Sequence, residues 1–211
     1  NSKTYVEKRI WVIFAQFSKK QMKIVKTAIE GAVIIEPRVF GDHRGYFFES
    51  FSEKWFSENV CNTRFVQDNE SRSKFVVLRG LHFQKPPYAQ SKLVRVVKGE
   101  VLDIAVDIRT GSPTFGKYVS VLLSEENKTQ FFVPRGFAHG FVVLSEDAIF
   151  QYKCDNYYAP QSEGAIAYND PTLLIDWQIE ESQIQLSDKD KNNPLLSDSD
   201  SLFDFKDDLY A

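Results

Sequence analysis

A regular series of short β-rich segments in the central part of the chain constrains the fold more than any other feature. The predicted strands cover residues 92–98, 101–108, 118–123, 129–133, 137–144 and 148–154. Turn residues separate several of them, as at positions 134–136 (Pro-Arg-Gly) and 145–147 (Ser-Glu-Asp). Strands at such even spacing are typical of sandwiches and barrels. We therefore predict an all-β fold.

The first two of these strands are joined by a turn that contains Gly99, which predicts a β-hairpin. Successive side chains of a strand point to opposite faces. The second strand therefore has one apolar face and one face with two carboxylates, Asp103 and Asp107. We expect this acidic face to look into a polar space, either solvent or a pocket.

The N-terminal half contains further strand signals and one short helix. Residues 24–39 have a strand-like pattern that ends in a glycine-bracketed turn, and extended segments are predicted at 46–51 and 65–69. Ser52 is a suitable N-cap and Glu53 an acidic first-turn residue, so a helix is predicted over residues 52–59.

The composition is compatible with one β-rich domain. The chain has 211 residues, of which 43% are hydrophobic, enough to bury one sizeable core. Its 18 Phe and 9 Tyr fit the half-buried surface of a sheet. The formal net charge of −3, with both signs interspersed, predicts neither nucleic acid nor an acidic membrane as a partner. The apolar stretches are far shorter than the roughly 20 residues that cross a bilayer.

The cysteines indicate the compartment. Cys61 and Cys154 are the only two, too few and too distant for a disulfide framework or a zinc knuckle. We therefore expect a cytoplasmic protein.

The position of the only methionine predicts the domain boundary. Met22 is preceded by residues 1–21, which contain basic residues around an apolar run but no proper signal-peptide core. We expect residues 1–21 to be a leader or a foreign extension, and residues 22–211 to form a single domain. The alternative is a native amphipathic arm that packs on a partner, because its apolar residues are partly at helical spacing.

The three histidines argue against a metal site. His43, His82 and His139 are isolated, whereas metal-binding barrels often use a His-x-His pair with a carboxylate and a third histidine. We predict no metal, which leaves histidine as a proton carrier. Taken singly, His82 is more simply a structural histidine, Tyr152 a core tyrosine and Lys92 a solvated cation.

Taken together, the sequence motifs strongly resemble those of the dTDP-4-dehydrorhamnose 3,5-epimerase family. The matching segments are 41–49 (GDHRGYFFE), 79–82 (RGLH), 92–96 (KLVRV), 99–101 (GEV), 107–116 (DIRTGSPTFG), 134–141 (PRGFAHGF), 157–160 (YYAP), 169–171 (NDP) and 186–190 (LSDKD). The resemblance implies a cupin-type jelly-roll barrel with short peripheral helices, a homodimer and no cofactor. His43 departs from the family, which often has a small or acidic residue there.

The resemblance also implies the catalytic residues. A 4-keto group acidifies the hydrogens on C3 and C5, so a base can remove one and an acid can return a proton on the opposite face. The base corresponds to His82 and the acid to Tyr152. Asp190, with Asp170 as second choice, would orient the histidine. Lys92 would stabilise the negative charge on the C4 oxygen.

Further positions match the substrate pocket and its support. Arg44 and Arg79 correspond to pyrophosphate-binding groups, and other pocket positions correspond to Phe48, Glu49, Gln67, Asn69 and Tyr158. His139 would be a supporting group, paired with Asp103, and not a second base. Strict strand alternation would put Arg79 and His82 on opposite faces, and we expect a bulge at Gly80 to relieve this.

The function that the resemblance implies is 3,5-epimerisation of dTDP-4-dehydro-6-deoxyglucose to dTDP-4-dehydro-L-rhamnose, a step towards rhamnose for surface polysaccharide. One alternative is epimerisation at C3 or at C5 only, on a related dTDP-4-keto sugar. Another is a cupin that binds a nucleotide sugar without turnover, against which the complete acid/base set argues.

Overall fold

Short strands dominate the computed structural model, which describes residues 22–199 and 203–211; the predicted extension at 1–21 lies outside these ranges. Within them the chain forms one α-helix, α1 (Glu53–Asn59), and four 3₁₀ helices, Pro160–Ser162, Glu181–Gln183, Asp190–Asn192 and Leu196–Asp198. The strands are β1 (Lys23–Lys26), β2 (Val33–Glu36), β3 (Phe40–Asp42), β4 (Gly45–Phe47), β5 (Gln67–Lys74), β6 (Leu78–Gln84), β7 (Lys92–Lys98), β8 (Glu100–Asp107), β9 (Arg109–Thr110), β10 (Tyr118–Ser124), β11 (Gln130–Val133), β12 (Phe137–Val143), β13 (Asp147–Cys154), β14 (Glu163–Ala165) and β15 (Phe203–Asp204).

Most of these strands belong to two antiparallel sheets. The first has the order β1-β2-β11-β7-β13-β5 and the second the order β10-β8-β12-β6-β14. From β5 to β8, and again from β10 to β14, consecutive strands alternate between the two sheets. This interleaving encloses a space between the sheets and confirms the predicted all-β jelly roll.

The predicted hairpin of residues 92–98 and 101–108 is wrong. β7 pairs with β11 and β13 in the first sheet, whereas β8 pairs with β10 and β12 in the second. Gly99 turns the chain from one sheet to the other with φ +79°, and a Cβ there would lie 2.1 Å from the Asp147 carbonyl oxygen. A glycine between two β-rich runs marks a sharp corner equally well in a hairpin or between sheets, so the local signal does not distinguish them.

Three apolar clusters explain how the layers hold together. The space between the sheets is filled in part by β-branched and aromatic side chains such as Val94, Phe131 and Phe150. The outer face of the second sheet packs on the C-terminal segment through Trp177 and Phe203, among others. Apolar burial on both faces of this sheet stabilises the fold, because it removes apolar surface from water.

The third cluster joins α1 to the outer face of the first sheet, where Phe56 packs edge-on against Phe132. The helix begins where the sequence predicts, because the Ser52 hydroxyl accepts a hydrogen bond from the Trp55 N–H. No helix in residues 22–199 and 203–211 is long and apolar enough to cross a membrane.

Strand β8 is buried on both faces. Its alternating apolar and polar side chains would also have been compatible with a strand that has one face in solvent. Leu102 and Ile104 belong to the cluster under the C-terminal segment, and Val101 and Ala105 belong to the cluster between the sheets. Asp103 is therefore inside the barrel, fully buried. The Asp103 carboxylate, predicted from the sequence to face solvent or a pocket, instead lies in the interior and pairs with His139.

Candidate active site

A polar crevice opens between the two sheets. It consists of two adjoining cavities of about 250 Å³ and about 310 Å³, which share His82, Lys92 and Tyr152 as lining residues. His82 comes from β6 of the second sheet, and Lys92 and Tyr152 come from β7 and β13 of the first. The jelly-roll topology therefore brings together three residues that the sequence predicts as catalytic.

His82 forms a hydrogen bond with a carboxylate from the C-terminal region. Its Nε2 lies 2.5 Å from Oδ1 of Asp190, the first residue of a 3₁₀ helix. The His82 side chain is 38% exposed to the crevice, whereas that of Asp190 is 5% exposed. A buried carboxylate behind a solvent-facing imidazole orients the ring and stabilises its protonated form.

Local hydrogen bonds keep Asp190 ionised and fix its direction. Burial alone would raise the pKa of Asp190, but the hydrogen bond and charge of His82 and the Ser187 hydroxyl outweigh it and hold the pKa below its usual value. Ser187 Oγ donates to Oδ2 at 3.0 Å and accepts from the Asp190 N–H at 3.1 Å. The serine and the aspartate of the segment 186–190 thus act as one unit.

Asp170, the second candidate for orienting His82, forms its hydrogen bonds with other residues. The prediction that Asp170 could orient His82 is corrected accordingly. Its Oδ1 accepts hydrogen bonds from the Thr172 N–H and hydroxyl, and its Oδ2 accepts one from the Leu196 N–H at 2.6 Å. Asp170 therefore fixes the chain that follows Asp190, at a place where both carboxylate oxygens already have donors.

Lys92 is a cation that has no ionic partner among the described residues. It forms no salt bridge with any residue in the described ranges, and its Nζ lies 5.8 Å from the centre of the Tyr152 ring. Burial lowers the pKa of Lys92, although the surrounding anionic groups oppose this shift. A desolvated, unpaired ammonium group is well suited to stabilise an anion that forms next to it.

Tyr152 lies at the centre of the first sheet's inner face. It is opposite Asn69 on β5 and Val94 on β7, and its ring packs near Phe150. Burial raises the pKa of the Tyr152 hydroxyl, so this group keeps its proton at neutral pH. The hydroxyl is therefore available as a proton donor.

A second histidine–aspartate pair lies deeper in the same crevice. His139 Nε2 lies 2.9 Å and 3.0 Å from the two carboxylate oxygens of Asp103. Burial lowers the pKa of His139 and raises that of Asp103, because the interior disfavours charge on either group. The pair is enclosed by Phe141 and Phe150, and this enclosure suits a supporting group better than a second base.

The strand irregularity predicted at Gly80 is confirmed. His82 is opposite His139 and Arg79 is opposite Phe141, so β6 has one more residue than β12 over this stretch. Gly80 has φ +134°, and a Cβ there would lie 2.5 Å from the Gly140 Cα. The bulge directs Arg79 and His82 into the same cavity, and the Arg79 Nε donates to the Ser73 hydroxyl at 3.0 Å.

The other residues predicted to bind substrate fall into two groups. Gln67, Asn69 and Tyr158 line the second cavity beside His82, and the Gln67 Nε2 donates to the Asn69 Oδ1 at 3.1 Å. The second group, Arg44, Phe48 and Glu49, does not line either cavity of the crevice in this chain.

These three residues lie on or just after the hairpin of β3 and β4. Arg44 forms a salt bridge with Asp42 and borders a separate shallow cavity at the hairpin. Phe48 lies beneath the guanidinium group of Arg95, 5.8 Å away, and Glu49 is exposed. The hairpin pairs only with itself among the described strands.

Two charged residues at the crevice were not predicted from the sequence. Glu163 lines the second cavity and Lys189 lines the first, and the Lys189 Nζ donates to Glu163 at 2.5 Å. Lys189 lies inside the segment 186–190, so that motif could have indicated it, whereas Glu163 is in no matched segment. No group of three or more His, Cys, Asp or Glu side chains with the geometry of a metal site occurs among the described residues.

The fold and the crevice define a class of jelly-roll protein whose polar interior holds proton-transfer groups. The family model described as dTDP-4-dehydrorhamnose 3,5-epimerase matches residues 26–198. A protein of that name from Salmonella typhimurium is 56% identical over 177 residues, which are 83% of this chain and 96% of that protein. The chain belongs to the dTDP-4-dehydrorhamnose 3,5-epimerase family.

Two solved structures support this assignment. The dTDP-6-deoxy-D-glucose-3,5-epimerase from Legionella pneumophila, in complex with dTDP-4-keto-L-rhamnose, is 54% identical with a TM-score of 0.85, covering 89% of this chain and all of that one (100%). A 3'-monoepimerase from Streptomyces bikiniensis, in complex with dTDP-quinovose, is 36% identical with a TM-score of 0.76, covering 81% of this chain and 86% of the other. Both similarities extend over most of the domain, and they agree with the cupin-type fold expected from the sequence.

Proposed function

We propose that the chain is an isomerase that epimerises dTDP-4-dehydro-6-deoxyglucose at C3 and C5 to dTDP-4-dehydro-L-rhamnose. The observation that carries the proposal is the His82–Asp190 hydrogen bond at a crevice that also holds Lys92 and Tyr152. The reaction moves protons and no electrons in net, so these side chains are sufficient in kind and no redox cofactor is required.

His82 removes the proton from the carbon next to the ketone. Its Nε2 proton is donated to Asp190, which leaves Nδ1 as the basic nitrogen. When the ring accepts the substrate proton, the ionised Asp190 stabilises the resulting imidazolium.

Lys92 stabilises the enolate. Deprotonation transfers negative charge to the C4 oxygen, and the unpaired ammonium group of Lys92 is a pre-oriented partner for it. Such a contact strengthens as charge develops and therefore lowers the barrier more than it tightens substrate binding.

Tyr152 returns a proton from the other side of the sugar. His82 and Tyr152 come from different sheets, so a ring bound between the sheets has one of them on each face. Proton removal on one face and return on the other inverts the carbon.

The nucleotide part of the substrate extends to the rim of the crevice. Arg79 is exposed there and can pair with the pyrophosphate in the planar geometry that arginine favours. Tyr158 is 56% exposed, and its ring can stack on the base. Gln67 and Asn69 bind polar groups between these two anchors.

We propose a cytoplasmic homodimer. Both cysteines, Cys61 and Cys154, are free thiols, which is consistent with a reducing compartment. Three large side chains of the β3–β4 hairpin, Phe40, Tyr46 and Phe47, are exposed by 47%, 60% and 69%, and they support a partner contact at this hairpin. Arg44, Phe48 and Glu49 would then act in substrate binding through the dimer.

The decisive experiment is incubation with dTDP-4-dehydro-6-deoxyglucose in deuterated water, with NMR detection of label at C3 and C5. Label and inversion at both carbons are expected. Label at one carbon would support the single-centre alternative, which the similarity to the 3'-monoepimerase keeps open. Binding without label would identify a nucleotide-sugar-binding protein and refute the proposal.

A further inference from the structure

Gln84 is a buried amide at the rim of the crevice that the reaction does not use. It is the last residue of β6, two positions after His82, and is only 5% exposed. Its Nε2 donates to the carbonyl oxygens of Tyr88, at 2.7 Å, and of Tyr157, at 3.1 Å. Its Oε1 accepts the Ala159 N–H at 2.8 Å.

Two of these hydrogen bonds lie on either side of one residue, Tyr158. The Tyr157 carbonyl and the Ala159 N–H belong to the two peptide groups that flank Tyr158. A single side chain therefore holds both of these peptide groups and restricts the backbone rotation that would redirect the Tyr158 ring. The third bond, to Tyr88, attaches the same amide to the β6–β7 loop.

Neighbouring contacts reinforce the same rim. The Gln90 Nε2 donates to the Asn156 carbonyl at 2.6 Å, and the Tyr158 N–H donates to Gln67 Oε1 at 3.4 Å. The Tyr158 side chain is 56% exposed, so burial does little to orient it, and its hydroxyl forms a hydrogen bond with Glu163. The direction of its ring is therefore set by this hydroxyl contact and by its backbone, of which Gln84 holds both flanking peptide groups.

We infer that Gln84 is a positioning residue for nucleotide binding, which acts by holding Tyr158 in the direction that meets the base of the substrate. Gln84 borders the second cavity, but its amide donates to two backbone carbonyls and accepts a backbone N–H, so we assign it to the rim and not to the substrate. The inference rests on the proposed function, in which Tyr158 stacks on the nucleotide. It predicts an effect on substrate affinity and little effect on proton transfer.

The test is the substitution Gln84→Glu, which keeps the size of the side chain. The carboxylate can accept the Ala159 N–H but faces two carbonyl oxygens without a proton to donate. Loss of such buried hydrogen bonds is expected to raise KM for dTDP-4-dehydro-6-deoxyglucose, and Kd for dTDP by calorimetry, about tenfold. The kcat value is expected to stay within about threefold of the wild type.

A double-mutant cycle with Tyr158→Ala separates positioning from a general structural effect. If Gln84 acts through Tyr158, the double variant has about the same Kd for dTDP as the Tyr158→Ala protein, because the two changes remove one interaction. Additive effects on Kd, or a Gln84→Glu protein with wild-type KM, would overturn the inference. A wild-type protein that neither binds dTDP nor epimerises the sugar would instead refute the proposed function.

Two further measurements complete the design. Gln130→Glu is the matched control, because Gln130 is also a buried glutamine that donates to a backbone carbonyl, that of Ser50, and it lines neither of the two cavities of the crevice; wild-type KM is expected. If Gln84→Glu does not fold, hydrogen exchange of the wild-type protein decides the matter. The Ala159 amide is then expected to be strongly protected, and exchange as fast as in a free loop would contradict the inference.

Discussion

Replacement of Asp190 by asparagine tests the central contact of the proposed mechanism. The carboxylate Oδ1 lies 2.5 Å from His82 Nε2, so the imidazolium and the carboxylate form a charge-assisted pair during proton transfer. We take the centres of the two charges to be about 4 Å apart, a distance at which two unit charges attract by about 4 kcal/mol at an effective dielectric constant of about 20. Because the His82 side chain is 38% exposed, we halve this value for solvent screening, to about 2 kcal/mol.

About 2 kcal/mol corresponds to a loss of roughly 30-fold in kcat. The amide of the variant can also donate to Nε2 and favour the tautomer in which Nδ1 is protonated, so 30-fold is the minimum that we expect. Substrate affinity should change little, since the Asp190 side chain is only 5% exposed. The assay is the initial rate of deuterium incorporation, with KM determined in parallel.

The matched control is Asp188→Asn. Asp188 is two residues away, has a 97% exposed side chain and pairs with Lys191, so wild-type kinetics are expected. A kcat within threefold of the wild type for Asp190→Asn would refute the assignment of Asp190 as the residue that orients the base.

The remaining predictions concern proton transfer, charge, cofactor and packing. In His82→Asn, NMR should detect no deuterium at C3 or C5, whereas in Tyr152→Phe exchange should persist as inverted product falls; normal exchange without His82 would identify another base. Lys92→Ala should still bind dTDP in calorimetry but lose most of its rate, and equal loss of both would assign Lys92 to the phosphates. Activity should survive EDTA, and a loss reversed by a divalent ion would contradict the cofactor-free mechanism. Gly140→Ala should lower the free energy of unfolding in urea by about 2 kcal/mol, because its Cβ would lie 2.7 Å from the Arg79 carbonyl oxygen; an unchanged unfolding midpoint would contradict this packing.

Local chemistry in the sequence predicted several elements at the correct place. The alternating runs and turn residues predicted the all-β fold, and Ser52 predicted the start of α1, because capping and side-chain periodicity depend on neighbouring residues only. The bulge at Gly80 was likewise predictable, since glycine tolerates both the positive φ and the close approach of another backbone. The motif resemblance supplied the family and the names of the candidate site residues.

Only the tertiary structure decided which of these elements meet. It separated β7 and β8 into different sheets, because hydrogen-bonding partners distant in sequence determine pairing and a glycine corner does not. It placed Asp190 in a hydrogen bond with His82 and Asp170 in a hydrogen bond with the Leu196 N–H, although both aspartates lie in matched segments. A single strand cannot determine what its side chains face, because the opposite wall of the crevice is made by residues far away in the chain.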